Sequence, residues 1–148
     1  MARQLGELEL VRGDIDAAIF YLDAAESLAP GDLKVALARA AALNRAGRSD
    51  EALSLLQKLT VPDDDQAAGL YHLMGETLLL LDRPAEAATH YRRAVESAPQ
   101  VAAYRLALAE AYKRAGDAAK AESAYLGYLE QLPNRAVAVP LEQWQRQP

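Results

Sequence analysis

A period of 34 to 35 residues runs through almost the whole chain, and no other feature limits its fold as much. Gly6, Ala40, Gly75 and Ala109 are separated by 34, 35 and 34 residues. Ala18, Ala52, Ala87 and Ala121 keep those intervals, as do Leu22, Leu56, Tyr91 and Tyr125. Gly13, Gly47, Asp82 and Gly116 mark a turn at the same spacing, and Pro30, Pro99 and Pro133 close three of the four units. Four columns in one register point to a stacked array of small supersecondary units, none able to bury its apolar face alone.

Each unit reads as two short amphipathic helices. Hydrophobic residues make up 51% of the 148-residue chain but aromatics only 6%, so alanine and leucine carry the apolar content. Both head the helix scale, whereas β-branched residues lose side-chain freedom in a helix. The predicted helices are 2–12, 15–28, 33–46, 49–60, 66–81, 84–97, 100–115 and 118–131. Glycine at the turn column tolerates the left-handed geometry of a helix stop. In the third unit the break is Asp82-Arg83-Pro84, with Pro84 placed for the first turn of the next helix. Asp32 fits an N-cap, and Asp63-Asp64-Asp65 reads as the cap before the third unit, where one extra residue lengthens the period. The units span about 1–32, 33–66, 67–101 and 102–135, followed by a C-terminal segment, 136–148.

The small columns account for how the helices touch. A glycine or alanine on each side permits close approach, and Leu22, Leu56, Tyr91 and Tyr125 fill the remaining volume one turn later. The fold class is therefore all-α, a helical repeat solenoid of about four helix–turn–helix units.

Charge and composition narrow the function. Net charge is −5, with 7 basic and 12 acidic residues in 1–74 and 9 of each in 75–148. Nucleic acid needs a basic face to displace phosphate counterions, and this chain has no basic excess. With no cysteine there is no disulfide, zinc ribbon or thiol nucleophile, and either redox compartment is allowed. The start, Met1–Glu7, has no apolar signal core, and no apolar run is long enough for a span. The chain reads as soluble, cytoplasmic or periplasmic, without direct membrane insertion. Twelve arginines against four lysines, with abundant alanine, suit a GC-rich bacterial genome.

No constellation for catalysis or a cofactor is readable. His72 and Glu76 are one helical turn apart, but a metal site needs more ligands, and His90 lies on the partner helix. The Asp63–Asp65 run lacks the glycine (Ala68 instead) and closing glutamate (Met74 instead) of a calcium loop. Tyr91, Tyr112 and Tyr125 fall in core columns, and there is no glycine-rich phosphate loop or nucleophile elbow.

With these residues in place the chain resembles the tetratricopeptide repeat family. Tyr71, Met74, Gly75, Leu78, Ala87, Tyr91 and Pro99 of the third unit fall in that family's columns, and so do Leu108, Ala109, Tyr112, Gly116, Ala121, Tyr125 and Pro133 of the fourth. The first unit departs at Glu9, and the second at Arg39 and at Pro62, two residues early. The resemblance implies a right-handed superhelix whose first helices line a concave groove for protein or peptide partners. It places Glu7, Leu10 and Val11 in that groove from the first unit, and Leu37, Ala41, Asn44 and Arg45 from the second. His72, Glu76 and Leu79 follow from the third, and Leu106, Glu110, Lys113 and Arg114 from the fourth. Leu37, Leu79 and Leu106 should form one exposed apolar stripe. The family's clamp for a terminal carboxylate is missing: the matching columns hold Arg3, Glu7, Ala38, Gly69 and Leu73, or Leu37, Ala41, Leu73, Ala103 and Ala107 one unit on.

The function these features imply is a non-catalytic protein-interaction scaffold with no cofactor, binding a peptide or helical segment with leucine-like anchors and some positive charge. Two other roles fit the same residues: a periplasmic scaffold of a bacterial secretion, pilus or exopolysaccharide export machine, and the regulatory array of an enzyme. Both ends look cut, as in a fragment of a longer protein, which would allow self-association through exposed end repeats. Leu141–Trp144 could form a short turn whose tryptophan covers the last repeat.

Overall fold

The computed structural model describes residues 1–60 and 64–148. Among them the regular structure is entirely helical: α1 (Ala2–Arg12), α2 (Ile15–Leu28), α3 (Leu33–Arg45), α4 (Ser49–Gln57), α5 (Asp64–Leu80), α6 (Pro84–Ser97), α7 (Ala102–Arg114), α8 (Ala118–Gln131), a 3-10 turn (Arg135–Val137) and α9 (Leu141–Arg146). Each helix packs against the next in sequence, and the first helices of neighbouring units also touch, α1 with α3 and α3 with α5. The chain is an all-α repeat solenoid.

The four inter-helix turns share one hydrogen-bond pattern. Asp14, Arg48, Arg83 and Asp117 each donate a backbone N–H to the carbonyl five residues back, on Glu9, Leu43, Leu78 and Tyr112, at 2.8–3.0 Å. The closure needs a left-handed residue in between. Gly13, Gly47 and Gly116 supply it at φ 85°, 74° and 80°, and Asp82 at 56°, the one non-glycine with positive φ among the described residues.

The helix starts vary in chemistry but not in position. Asp14 and Asp117 accept the backbone N–H of Ala17 and Lys120, three residues on. Arg48 and Arg83 stand in the same column and cannot accept. Each instead makes a two-pronged pair with a first-turn glutamate, Arg48 with Glu51 and Arg83 with Glu86, at 2.7 Å for both prongs. Those hydrogen bonds hold the Glu51 and Glu86 carboxyls below the usual range. Asp32 caps α3 through Lys34 and Val35. Of the capping run read at Asp63-Asp64-Asp65, Asp63 lies outside the described residues, as does the early Pro62, and α5 begins at Asp64. Helix α4 stops at Gln57, three residues before its predicted end. Its last turn tightens instead, with Lys58 N–H bonding to Leu55 and Leu59 N–H to Leu56.

The small columns form the interior. Gly6, Ala18, Ala40, Ala52, Ala87, Ala109 and Ala121 are all buried. A Cβ on Gly6 would lie 2.6 Å from Leu22 Cγ, and one on Gly75 the same distance from Tyr91 Cε1. Glycine at these two positions is a condition of the helix spacing. Leu22, Leu56, Tyr91 and Tyr125 are buried in turn, each adding about 1.5–3 kcal/mol of apolar burial.

Candidate binding groove

The first helices α1, α3, α5 and α7 carry the residues that line two depressions. The smaller, about 440 Å³, lies between α1 and α3; Glu7, Leu10, Val11 and Leu37 line it with Arg3, Lys34 and Ala38. The larger, about 630 Å³, spans three units. Helix α3 contributes Ala41, Asn44 and Arg45; α5 contributes Leu73, Glu76, Leu79 and Leu80; Tyr91 and Arg114 come from α6 and α7.

Ten of the fourteen residues assigned to the groove from sequence therefore line one depression or the other: Glu7, Leu10, Val11, Leu37, Ala41, Asn44, Arg45, Glu76, Leu79 and Arg114. The other four are placed differently. His72 is half-buried, its ring 5.0 Å from that of Tyr104 and 5.5 Å from that of Tyr91, with Nδ1 4.0 Å from Glu76 Oε1. Leu106, Glu110 and Lys113 meet the C-terminal helix. Glu110 Oε1 accepts from Trp144 Nε1 at 2.5 Å, and Lys113 Nζ donates to the Trp144 carbonyl at 2.8 Å. The Lys113 ammonium also lies 4.7 Å from the centre of the indole.

Sequence reasoning missed Leu73, Leu80 and Tyr91 as groove residues. For Leu80 the signal was the period itself, because Leu80 stands in one column with Val11, Arg45 and Arg114. Tyr91 is a core residue whose edge also borders the depression. The leucine stripe takes a different form from the one expected. Leu37, Leu79 and Leu106 are half-buried, each against a different core cluster. The leucine that stays open is Leu80, 62% exposed.

The charges of the larger depression come from Arg45, Arg114 and Glu76. Arg45 reaches back to donate to the Leu10 carbonyl at 2.5 Å, in the last turn of α1 where cations are favoured. Asn44 Nδ2 donates to Thr77 Oγ1 at 2.8 Å, and that hydroxyl donates to the Leu73 carbonyl. The pairing fixes the amide and leaves Asn44 Oδ1 buried without a partner. Burial, with the nearby Glu76 carboxylate, pushes the Tyr91 hydroxyl well up, so it stays protonated. In the smaller depression Arg3 pairs with Glu7 at 2.5 Å.

Among the described residues no three His, Asp or Glu side chains are grouped to hold a metal ion, and no helix is long and apolar enough to cross a membrane.

Two tetratricopeptide repeat family models match in tandem, over residues 10–75 and 72–136. No curated protein matches the sequence. Among solved structures, MamA from Desulfovibrio magneticus RS-1 (residues 41 to the end) is similar at a TM-score of 0.76 and 21% identity, over 88% of this chain and 73% of that one. A second MamA structure gives 0.74 and 23%, over 87% and 75%. YrrB, described as a tetratricopeptide repeat protein with an unusual peptide-binding site, gives 0.69 and 18%, over 89% and 68%. At these identities the likeness speaks to the fold, while the repeat models and the four columns speak to the family. The chain belongs to the tetratricopeptide repeat family.

Proposed function

We propose that the chain is a non-catalytic protein-interaction scaffold. Its ligand is a peptide or helical segment seated in the larger depression through a leucine-like anchor. The observation that carries this is the joining of three units in one concavity, with Leu73, Leu79 and Leu80 on its wall and Arg45 and Arg114 beside it. A preformed trough of stacked helices costs little ordering on binding, so a few anchors suffice. YrrB, of the same fold, is described by a peptide-binding site of its own.

The charge of the preferred partner differs from the sequence-based expectation. Glu7 is paired with Arg3 and Glu110 is engaged by Trp144, so the row of glutamates is largely spent within the chain. Two arginines then outweigh Glu76, and an anchor flanked by an acidic residue fits better than a basic one. Labelled peptides with a leucine anchor and either an acidic or a basic flank, read by fluorescence polarisation, test both points. The acidic series should bind the wild type, and Leu80→Glu and Arg114→Glu should each weaken it about tenfold, or about 1.4 kcal/mol, with unchanged melting. Equal binding by wild type and both variants would remove the depression from consideration.

A further inference from the structure

One column of the repeat alternates apolar and basic residues. Val11, Arg45, Leu80 and Arg114 are separated by 34, 35 and 34 residues, and each stands in the last turn of its first helix. All four are exposed, Val11 at 84% and Leu80 at 62%. Arg45, Leu80 and Arg114 line the larger depression together, and Val11 lines the smaller one. The row therefore offers a ligand cation, leucine, cation across three successive units. Arg45 is oriented by its bond from Nη1 to the Leu10 carbonyl, and its other N–H donors stay open. Glu76 lines the same depression one helical turn before Leu80, so a carboxylate is disfavoured at the middle of the row and favoured at its two ends.

The step of the row limits the conformation of what can follow it. Packed helix axes lie about 8–10 Å apart, so successive members of the column are about that far from each other. Residues on one face of a β-strand recur at about 6.6 and 13 Å, and both distances miss the step. Polyproline II has three residues per turn and a rise of about 3.1 Å, so residues i, i+3 and i+6 share one face at about 9 Å spacing. An α-helix meets the step with residues seven apart, at about 10.5 Å, but over two steps it is a cylinder of about 2,000 Å³. The depression holds about 630 Å³.

We infer that the partner of the larger depression is a polyproline II segment with an acidic residue, a leucine and an acidic residue at every third position. The two acids meet Arg45 and Arg114, and the leucine meets Leu80. This rests on the larger depression being the binding site, and adds the conformation, spacing and charge order of its ligand. Polyproline II has no internal hydrogen bonds, so proline fits the intervening positions and lowers the ordering cost of binding.

Fluorescence polarisation with labelled peptides and the full chain tests it. The probe is Asp-Pro-Ser-Leu-Pro-Ser-Asp. Two comparison peptides carry the same three side chains two residues apart, or seven apart on an alanine-rich helix. The probe should bind at least about tenfold tighter than either. Asparagine in place of either aspartate of the probe, a change that leaves the protein untouched, should weaken binding about tenfold. Arg114→Glu should weaken it likewise. Lysine at one acidic position of the probe should then restore binding to Arg114→Glu and lysine at the other should not, which gives the direction of the segment. If Leu80→Glu abolishes binding but all three spacings bind equally, or another spacing binds better, the inference is overturned and the depression remains the site. If the probe binds Leu80→Glu as well as the wild type, or if no leucine-anchored peptide of any spacing binds, both fall.

Discussion

The ring of Tyr91 lies against the bare Cα of Gly75, so that a Cβ there would sit 2.6, 2.7 and 2.8 Å from three of its ring atoms. No flexible chain end is available to move aside; the clash is with a rigid ring that is itself buried. Gly75→Leu should therefore destabilise by about 3 kcal/mol, the upper part of the usual overpacking range. In the second unit Ala40 stands opposite Leu56, a pairing with a methyl on one side and a narrower side chain on the other. Gly75→Ala with Tyr91→Leu copies that pairing, and the double variant should cost less than the two single changes added together. A double-mutant cycle measured by urea denaturation reads the coupling; strict additivity would mean that the two residues do not constrain each other.

The same pair shows what could be read from the chain alone. Column spacing set Gly75 opposite Ala87 and gave Tyr91 the volume one turn later, because an array repeats its contacts and one register then fixes every unit; the direct seat of the Tyr91 ring on Gly75 is what the structure adds. Asp82 was placed in the turn column for the same reason, although nothing in its own chemistry demands a positive φ. The groove was less legible. Leu37 and Leu106 sit on first helices that have two buried sides, and periodicity alone does not tell a core-facing leucine from a groove-facing one. Glu110 and Lys113 were read as groove charges because their bonds to Trp144 depend on the path of the chain after Pro133, which breaks the period.

Asp82 holds its left-handed conformation, φ 56°, with a side chain where the other three turns have glycine. Asp82→Gly should leave stability within about 0.5 kcal/mol of the wild type, since the relief of strain is offset by added freedom in the unfolded chain. Asp82→Val should cost about 1–3 kcal/mol, because a β-branched side chain fits this region poorly. Equal melting temperatures for the two variants would mean that the turn adopts another geometry.

His90 gives the array a pH dependence. Burial, and then the Arg93 guanidinium, hold its imidazole below the ordinary histidine value, while Glu86 opposes them weakly. Its Nδ1 is buried without a partner. The folded state thus prefers neutral His90, whereas the unfolded chain takes up a proton near pH 6.5. The stabilising contribution is present above that value and lost as pH falls through the folded one. Melting temperatures between about pH 7.5 and pH 5 should fall more for the wild type than for His90→Gln; parallel curves would assign the acid sensitivity elsewhere.

Leu37 and Leu106 separate the core from the groove. Each is half-buried, Leu37 against the cluster around Ala40, Leu56 and Met74, and Leu106 against the one around Ala109, Tyr125 and Trp144. A glutamate at either site puts a carboxylate against apolar side chains, at about 1–3 kcal/mol, with the lower end expected for Leu37→Glu because Arg3 and Lys34 line the same depression. For a chain of this length that lowers the melting temperature by about 2–4 °C per kcal/mol. Leu106→Glu carries a second effect. The new carboxylate would stand one helical turn from Glu110, whose Oε1 holds the indole N–H. Repulsion between the two should loosen Trp144, so its emission should move to the red before the melt begins, while Leu37→Glu should leave that emission unchanged. If both variants melt like the wild type, these leucines face the groove and not the core. If Leu106→Glu is destabilised with no change in emission, the link from α7 to the C-terminal helix does not run through Glu110.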